Sequence, residues 1–193
     1  MYMKISIRIF DILFVIIFLI IFFILIMLLI FFQLIFTGRP LFYVDERYGL
    51  HSKKIKILKF RSMSNDLTKT EFNRTTKFGK LLRKSSLDEL PQLINVLKGD
   101  MSLIGPRPIN LNTLNLFKEK YNKELQLRQS VKPGLSGYTQ LLYDGNKRSW
   151  DQKLMLDLKF VRNYSYKFYF KTLILTFPYV IKKYFYNKTG ETL

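Results

Sequence analysis

Cysteine and alanine are absent from the 193 residues, and histidine occurs only once, as His51. Without cysteine the chain can form no disulfide, no thiolate nucleophile and no cysteine-ligated metal site. A single histidine cannot supply a histidine-rich metal site or the base of a histidine-centred triad. Acidic residues are also few: 14 stand against 32 lysines and arginines, and the formal net charge is +18.

This excess of positive charge predicts anionic partners without identifying them. Nucleic acid, anionic lipid headgroups and polyanionic substrates would all be attracted to such a chain. Because the chain begins with a membrane segment, we favour lipid and substrate and expect no nucleic-acid partner.

Residues 12–32 form a run of 21 apolar residues without a charge, a glycine or a proline. A helix of that length measures about 32 Å at ~1.5 Å per residue, which matches a hydrocarbon core of ~30 Å. No small-residue cleavage site follows the run, so a signal peptide is disfavoured. We therefore predict a membrane-anchoring helix over residues 1–36 and a second domain over residues 37–193.

Basic residues flank this run on both sides and bear on its orientation. Lys4 and Arg8 precede it, and the larger cluster of Arg39, Arg47 and two further lysines follows it. Basic flanks prefer the cytoplasmic side, which places the second domain in the cytoplasm. A straight span would put Lys4 and Arg8 on the opposite side, whereas a re-entrant hairpin keeps both ends cytoplasmic. Both geometries stay open at this point.

The remaining chain reads as a mixture of helices and a small hairpin. Residues 40–63 alternate apolar and polar positions around Tyr48-Gly49, which predicts strand, turn and strand. Leucines at helical spacing predict a helix over residues 81–97 that pauses at Ser85-Ser86 and ends at Gly99. Further segments are predicted as an exposed helix (111–129), a Pro- and Gly-containing loop (132–137), a helix (150–161) and an aromatic, lysine-rich segment (164–186). The last is a core helix or, as we favour, an interfacial amphipathic helix.

Asp88 and Glu89 form an acidic pair in this basic chain. One interpretation is helix capping, because Ser86-x-x-Glu89 matches a capping box. The other is chemistry on phosphate, since Arg107 lies between two prolines that would rigidify a phosphate-binding loop, and Arg83 precedes the acids by about one turn. An aspartate beside arginines suits phosphoryl transfer through an acyl-phosphate intermediate, with Mg²⁺ neutralising the phosphate oxygens. The two interpretations are compatible.

Several ordered motifs extend the pattern along the chain. They read KFRSM (59–63), LRKSSLDELPQL (82–93), NVLKGDMS (95–102), GPRP (105–108), KPGLSG followed by Gln140 (132–140), and SW followed by LD (149–157). Together these motifs resemble the bacterial sugar transferase family, the monotopic polyprenyl-phosphate phosphoglycosyl transferases, from about residue 8 to about residue 176.

The resemblance implies a fold and a reaction. The implied fold is α+β and mainly helical: a re-entrant membrane helix with a compact cytoplasmic domain that carries a small β-hairpin and interfacial amphipathic helices. The reaction transfers a sugar-1-phosphate from a UDP-sugar to polyprenyl (undecaprenyl) phosphate and releases UMP. It initiates a surface glycan such as a capsule or lipopolysaccharide, at the cytoplasmic face of the bacterial inner membrane. A homodimer is left open.

The resemblance also implies residue roles. Asp88 is the expected nucleophile and Mg²⁺ contact, and Glu89 its partner toward the metal or the acceptor proton. The expected phosphate- and substrate-binding residues are Arg83, Arg107, Lys59, Arg61, and Lys147 or Arg148.

Three positions depart from the family pattern. The apolar run lacks the usual Ser-Pro break, residues 141–148 read LLYDGNKR where the family carries a different loop, and Tyr169 stands where an aspartate is common. The last two motivate an alternative, a catalytically impaired relative that acts as a membrane adaptor.

Overall fold

The computed structural model describes residues 2–64, 68, 70–142 and 149–186, and within these ranges the fold is mostly helical. The helices are α1 (Tyr2–Ile21), α2 (Phe23–Phe36), α3 (Glu71–Arg74), α4 (Lys77–Ser85), α5 (Gln92–Lys98), α6 (Leu111–Lys118), α7 (Asn122–Arg128), α8 (Tyr138–Leu141), α9 (Trp150–Arg162) and α10 (Tyr166–Tyr186). The strands are β1 (Phe42–Tyr48), β2 (Lys54–Phe60), β3 (Ser102–Ile104) and β4 (Gly134–Ser136). A mainly helical α+β fold is thus confirmed.

The apolar run is not one straight helix, because the chain bends by 70° between α1 and α2. Phe22 lies at the bend, where neither proline, glycine nor serine is present. Among the described residues no single helix is both long and apolar enough to cross a bilayer, whereas the bent pair passes by length and composition. The predicted continuous helix is therefore replaced by two shorter ones, although the family's usual Ser-Pro break is missing.

Part of α1 packs in the protein core, whereas the bend between α1 and α2 is exposed. Ile7 and Val15 are buried among residues of α5, β3 and α10. Ile20, Ile21 and Ile24, next to the bend, are 70%, 67% and 75% exposed. Since exposing such a large apolar tip to water is unfavourable, the tip calls for an apolar environment.

The predicted hairpin is confirmed by strands β1 and β2. They pair antiparallel, with Phe42 opposite Phe60 and Tyr48 opposite Lys54. The buried side chain of Asn95 on α5 joins this hairpin: its amide group donates to the Lys56 carbonyl at 2.7 Å and accepts from the Leu58 amide at 3.0 Å. Asn95 thereby fixes the hairpin against α5, the helix that follows the acidic pair.

Residues 132–137 are predicted as a loop, but they contain strand β4. The loop prediction is therefore only partly right. This strand pairs in parallel with β3, Ser102 opposite Gly134 and Ile104 opposite Ser136. The backbones approach so closely that a Cβ atom on Gly134 would lie 2.0 Å from the Gly105 nitrogen. Glycine is required there by close contact, and this contact brings together two motifs separated by some thirty residues in the chain.

Asp11 and Tyr169 meet in the core. The Asp11 carboxylate accepts hydrogen bonds from the Tyr169 hydroxyl at 2.5 Å and from the Ser102 hydroxyl at 2.7 Å, and all three residues are buried. The tyrosine that replaces the family's aspartate is therefore the partner of an aspartate on α1. This departure has a structural explanation and is no evidence for lost activity.

The C-terminal half of the chain partly follows the sequence expectations. The helix predicted over 150–161 is confirmed as α9, and Ser149 with Gln152 forms its capping box. The single helix expected over 111–129 is two helices, α6 and α7. α10 has features of both predicted forms of residues 164–186, the core helix and the amphipathic helix. Tyr169 and Thr172 are buried, while Ile174 and Phe177 are exposed.

Candidate active site

The acidic pair lies in a 3₁₀ turn, Leu87–Glu89, between α4 and α5. The turn begins at Ser86, whose backbone is left-handed with φ of 59°. Ser86 makes no side-chain capping bond, so the predicted capping box is wrong. Left-handed backbone is uncommon for serine and tends to occur where a site constrains the chain. The carboxylates are thus held on a tight turn, and both are partly exposed.

Glu89 is the centre of a cationic cluster. Its Oε1 atom accepts a hydrogen bond from Arg107 Nη2 at 2.8 Å and lies 3.7 Å from Lys59 Nζ. The Arg107 side chain is 50% exposed, so this contact leaves part of the guanidinium open to solvent. Three residues predicted for the site from separate motifs, Lys59, Glu89 and Arg107, are therefore brought together.

The cluster continues along the hairpin to Asp45 and Arg47, which the sequence interpretation missed. Asp45 Oδ2 lies 4.0 Å from Lys59 Nζ and accepts from Arg47 Nη2 at 2.6 Å. Strand alternation could have found this pair, since Tyr43 opposes Lys59 and Asp45 is two residues further along the same face. Lys59 is thus held between two carboxylates.

A buried ion pair supports the Arg107 loop from below. Arg128 Nε donates to Asp157 Oδ2 at 2.7 Å, and Arg128 Nη2 donates to the Arg107 carbonyl at 2.5 Å. Both side chains are under 10% exposed. The neighbouring Pro106 and Pro108 are buried, whereas Arg107 between them is exposed. The backbone of this loop is consequently fixed while the guanidinium projects toward the acidic pair.

Electrostatics agree with this arrangement. The carboxylate of Glu89 raises the pKa of the Arg107 guanidinium above its ordinary value, and smaller contributions come from Asp88 and from Tyr179 on α10. Asp88 and Tyr179 therefore also lie within electrostatic range of Arg107. Sequence patterning alone did not assign Tyr179 to the site.

Two of the remaining predicted phosphate-binding residues make contacts with other parts of the chain. Arg83 Nε donates to the Ser62 hydroxyl at 2.7 Å. Arg61 is buried and donates to the Thr37 carbonyl, just after α2. Lys147 and Arg148 fall outside the described residues. Arg83 and Arg61 thus make contacts that serve the fold, and their predicted role toward phosphate stays a prediction.

A magnesium ion would fit this site only if substrate phosphates and water supplied ligands beside the protein carboxylates. Among the described residues there is no cluster of three or more histidines, aspartates or glutamates that could enclose a metal. Mg²⁺ commonly uses one or two carboxylates together with substrate phosphates and water. Asp88 and Glu89 are the carboxylates that would hold the ion, and Glu89 Oε1 also faces Arg107 and Lys59.

Comparisons with known sequences identify the family of this chain. A model of the bacterial sugar transferases matches residues 2–183. The chain belongs to the bacterial sugar transferase family. It is similar to "Uncharacterized sugar transferase EpsL" of Bacillus subtilis (strain 168), with 44% identity over 145 residues, 72% of this chain and 69% of the relative.

Two further relatives carry more specific names. "UDP-glucose:undecaprenyl-phosphate glucose-1-phosphate transferase" of Escherichia coli (strain K12) is 38% identical over 167 residues, 78% of this chain and 34% of the relative. "Galactosyl transferase CpsE" of Streptococcus agalactiae serotype III (strain NEM316) is 35% identical over 167 residues, 77% of this chain and 36% of the relative. The matches thus cover about a third of the length of these two relatives.

Proposed function

We propose that this sugar transferase moves a sugar-1-phosphate from a UDP-sugar to polyprenyl phosphate through a covalent intermediate on Asp88. The observation that supports it is the contact of Glu89 with Arg107 and Lys59 beside Asp88, in a chain of this family. Relatives named for transfer between UDP-glucose and undecaprenyl phosphate support the substrate class.

In the first step an Asp88 carboxylate oxygen attacks the β-phosphorus of the UDP-sugar. The bond from that phosphorus to the bridging oxygen breaks, UMP leaves with the oxygen, and the sugar phosphate remains on Asp88 as an acyl phosphate. In the second step a phosphate oxygen of the lipid attacks the same phosphorus. The acyl-phosphate bond breaks, the lipid diphosphate sugar leaves and the Asp88 carboxylate is restored.

Glu89 and the cations around it have the remaining roles in the proposed reaction. Arg107, with its exposed half, neutralises the donor phosphates as charge develops at the departing UMP. Glu89 holds Arg107 and Lys59 in place beside Asp88, the proposed attacking carboxylate. Mg²⁺, held by Asp88 and Glu89, would neutralise the phosphate oxygens that repel this anion.

The membrane segment fits the need of a lipid phosphate acceptor. The ten apolar residues 12–21 before the bend extend about 15 Å, the depth of one leaflet of a ~30 Å core. We propose that α1 and α2 form a re-entrant hairpin in the cytoplasmic leaflet of the inner membrane. Residues 37–193 then form the catalytic domain at the cytoplasmic face, where the lipid phosphate lies, and the exposed side of α10 rests on the interface.

The experiment is a UMP-release assay with Mg²⁺, undecaprenyl phosphate and a panel of UDP-sugars. We expect release with at least one sugar, and none from Asp88→Asn. Asp151→Asn is the matched control, because Asp151 is exposed on α9 and pairs with Lys120 on the surface. Full turnover by Asp88→Asn would refute the assignment of Asp88. Membrane association without UMP release from any sugar would favour the adaptor alternative.

A further inference from the structure

A second basic site lies at the start of α1, away from the acidic pair. It is a pocket of about 80 Å³ lined by Lys4, Arg8, Asp11, Ser130, Lys132 and Tyr164, among others. One water needs roughly 10–15 Å³ of such space, so the pocket has room for a group of several atoms such as a phosphate. The proposed reaction uses none of these residues.

The pocket has three cations and one carboxylate. Arg8 is fixed there because its guanidinium donates to the carbonyls of Val96 and Leu97 at the end of α5. Among the described residues, no carboxylate oxygen lies within 4.0 Å of a side-chain nitrogen of Lys4, Arg8 or Lys132. With three cations against one carboxylate and no such ion pair, the pocket carries a net positive charge.

Lys132 is affected by burial first and by the neighbouring charges second. Burial, and secondarily the charge of Arg8, lower the pKa of the Lys132 ammonium, although Asp11 and Asp100 act in the opposite direction. The Asp11 carboxylate is itself occupied by the hydroxyls of Ser102 and Tyr169. An anion in the pocket would relieve the cost of keeping these cations together.

The membrane placement proposed above would put the pocket at the depth of lipid headgroups. Arg8 precedes the first residue of the apolar run by four positions, about 6 Å along a helix. The headgroup layer adds roughly 5–8 Å to each side of the hydrocarbon core. With the apolar run in the bilayer, Arg8 and its neighbours face the phosphate layer.

This site is separate from the acidic pair. Glu89 precedes the first residue of α5, whereas Arg8 binds the carbonyls at the other end of that helix. Seven helical residues separate the two ends by about 10 Å. One anion could thus occupy each site at the same time.

We propose that this pocket binds the phosphate of an anionic phospholipid headgroup and so holds the start of the membrane segment at the bilayer surface. The ligand is chemically a phosphate monoester or diester, which lipid and soluble phosphates share. The proposal rests on the membrane placement proposed above.

The test measures partitioning of the full chain onto phosphatidylcholine vesicles with and without phosphatidylglycerol. Lys4→Gln/Lys132→Gln removes two pocket cations. Lys118→Gln/Lys123→Gln is matched in charge, since both lysines are exposed on α6 and α7. Ser130→Leu fills the pocket without changing any charge. Thermal unfolding and binding to pure phosphatidylcholine report whether each variant is folded and inserted.

We expect the pocket double variant to lose about 30-fold of the preference for phosphatidylglycerol, at ~1 kcal/mol per basic residue near the surface. The control pair should lose far less, and Ser130→Leu should lose the preference as the double variant does. Equal losses in both double variants, or an unchanged preference in Ser130→Leu, would show a diffuse surface field and overturn the pocket.

A soluble arm distinguishes the two phosphate sources. Inorganic phosphate, added at constant ionic strength, should leave the phosphatidylglycerol preference intact. Loss of the preference in that arm would assign the pocket to soluble phosphate and overturn the lipid. Failure of the wild-type chain to bind even phosphatidylcholine would instead refute the membrane placement, so the two failures are distinguishable.

Discussion

At the scale of single residues, the site depends on how one glutamate is held. Glu89 accepts from Arg107 at 2.8 Å and faces Lys59 at 3.7 Å, and Arg107 is held in turn by the Arg128–Asp157 pair through its backbone. Of two neighbouring acids of similar intrinsic strength, Glu89 is thus the anchor of a cationic cluster and Asp88 is the proposed nucleophile.

Arg107→Lys tests the guanidinium. Lysine keeps the charge but lacks the planar fork that can hold Glu89 and a phosphate together. We expect turnover to fall by about 10- to 150-fold, the equivalent of a charge-assisted hydrogen bond of ~1.5–3 kcal/mol. Steady-state UMP release measures it, with Arg162→Lys on the exposed end of α9 as the control. Equal rates in Arg107→Lys and wild type would contradict the role of Arg107.

Asp157→Asn tests the support beneath that loop. Removing one partner leaves the Arg128 guanidinium buried without its counter-charge, so the free energy of unfolding should fall by about 3–5 kcal/mol. Denaturant unfolding in detergent micelles measures the change. Asp151→Asn, on the surface of the same helix, should stay within about 0.5 kcal/mol of wild type. A similar small change in Asp157→Asn would mean that the pair contributes little.

At the scale of elements, the bent pair α1–α2 and the two small sheets place the site. The hairpin and the ends of helices were predictable, because alternation, Gly99 and the capping residues of α9 act locally. The bend at Phe22 was not, since no residue type marks it, and neither was the Asp11–Tyr169 contact between residues far apart in the chain. The pairing of β3 with β4 was not predictable either, because it joins residues far apart in the chain. The glycines there suggest a loop, whereas in the structure they permit close backbone contact.

The proposed re-entrant geometry makes a prediction at this scale. The chain has no cysteine, so single cysteines can be introduced without a background. In proteoliposomes, Ser6→Cys in α1 and Asn122→Cys in α7 should react with a membrane-impermeant maleimide from the same side, because a hairpin returns both ends to one face. Labelling of the two positions from opposite sides would show a full span.

At the scale of the whole molecule, the charge of +18 and the proposed membrane segment suit the same substrates. The substrates proposed are anions, one of them a lipid whose phosphate stays at the bilayer surface, and a basic domain at that surface gathers both. Asp88 and Glu89 are acids placed within this field, where the surrounding cations offset the repulsion between a carboxylate and a phosphate. Motif order predicted most of the candidate site, while Asp45, Arg47 and Tyr179 required the three-dimensional arrangement.

The central claim is a sugar phosphate carried on Asp88, and mass spectrometry tests it most directly. The chain is incubated with Mg²⁺ and an accepted UDP-sugar in the absence of lipid, quenched, digested and analysed. We predict a mass increase of one sugar phosphate on the peptide that contains Asp88, one UMP released per adduct, and loss of the adduct when undecaprenyl phosphate is added. Release of UMP with that peptide unmodified, or an adduct that persists in Asp88→Asn, would contradict the account.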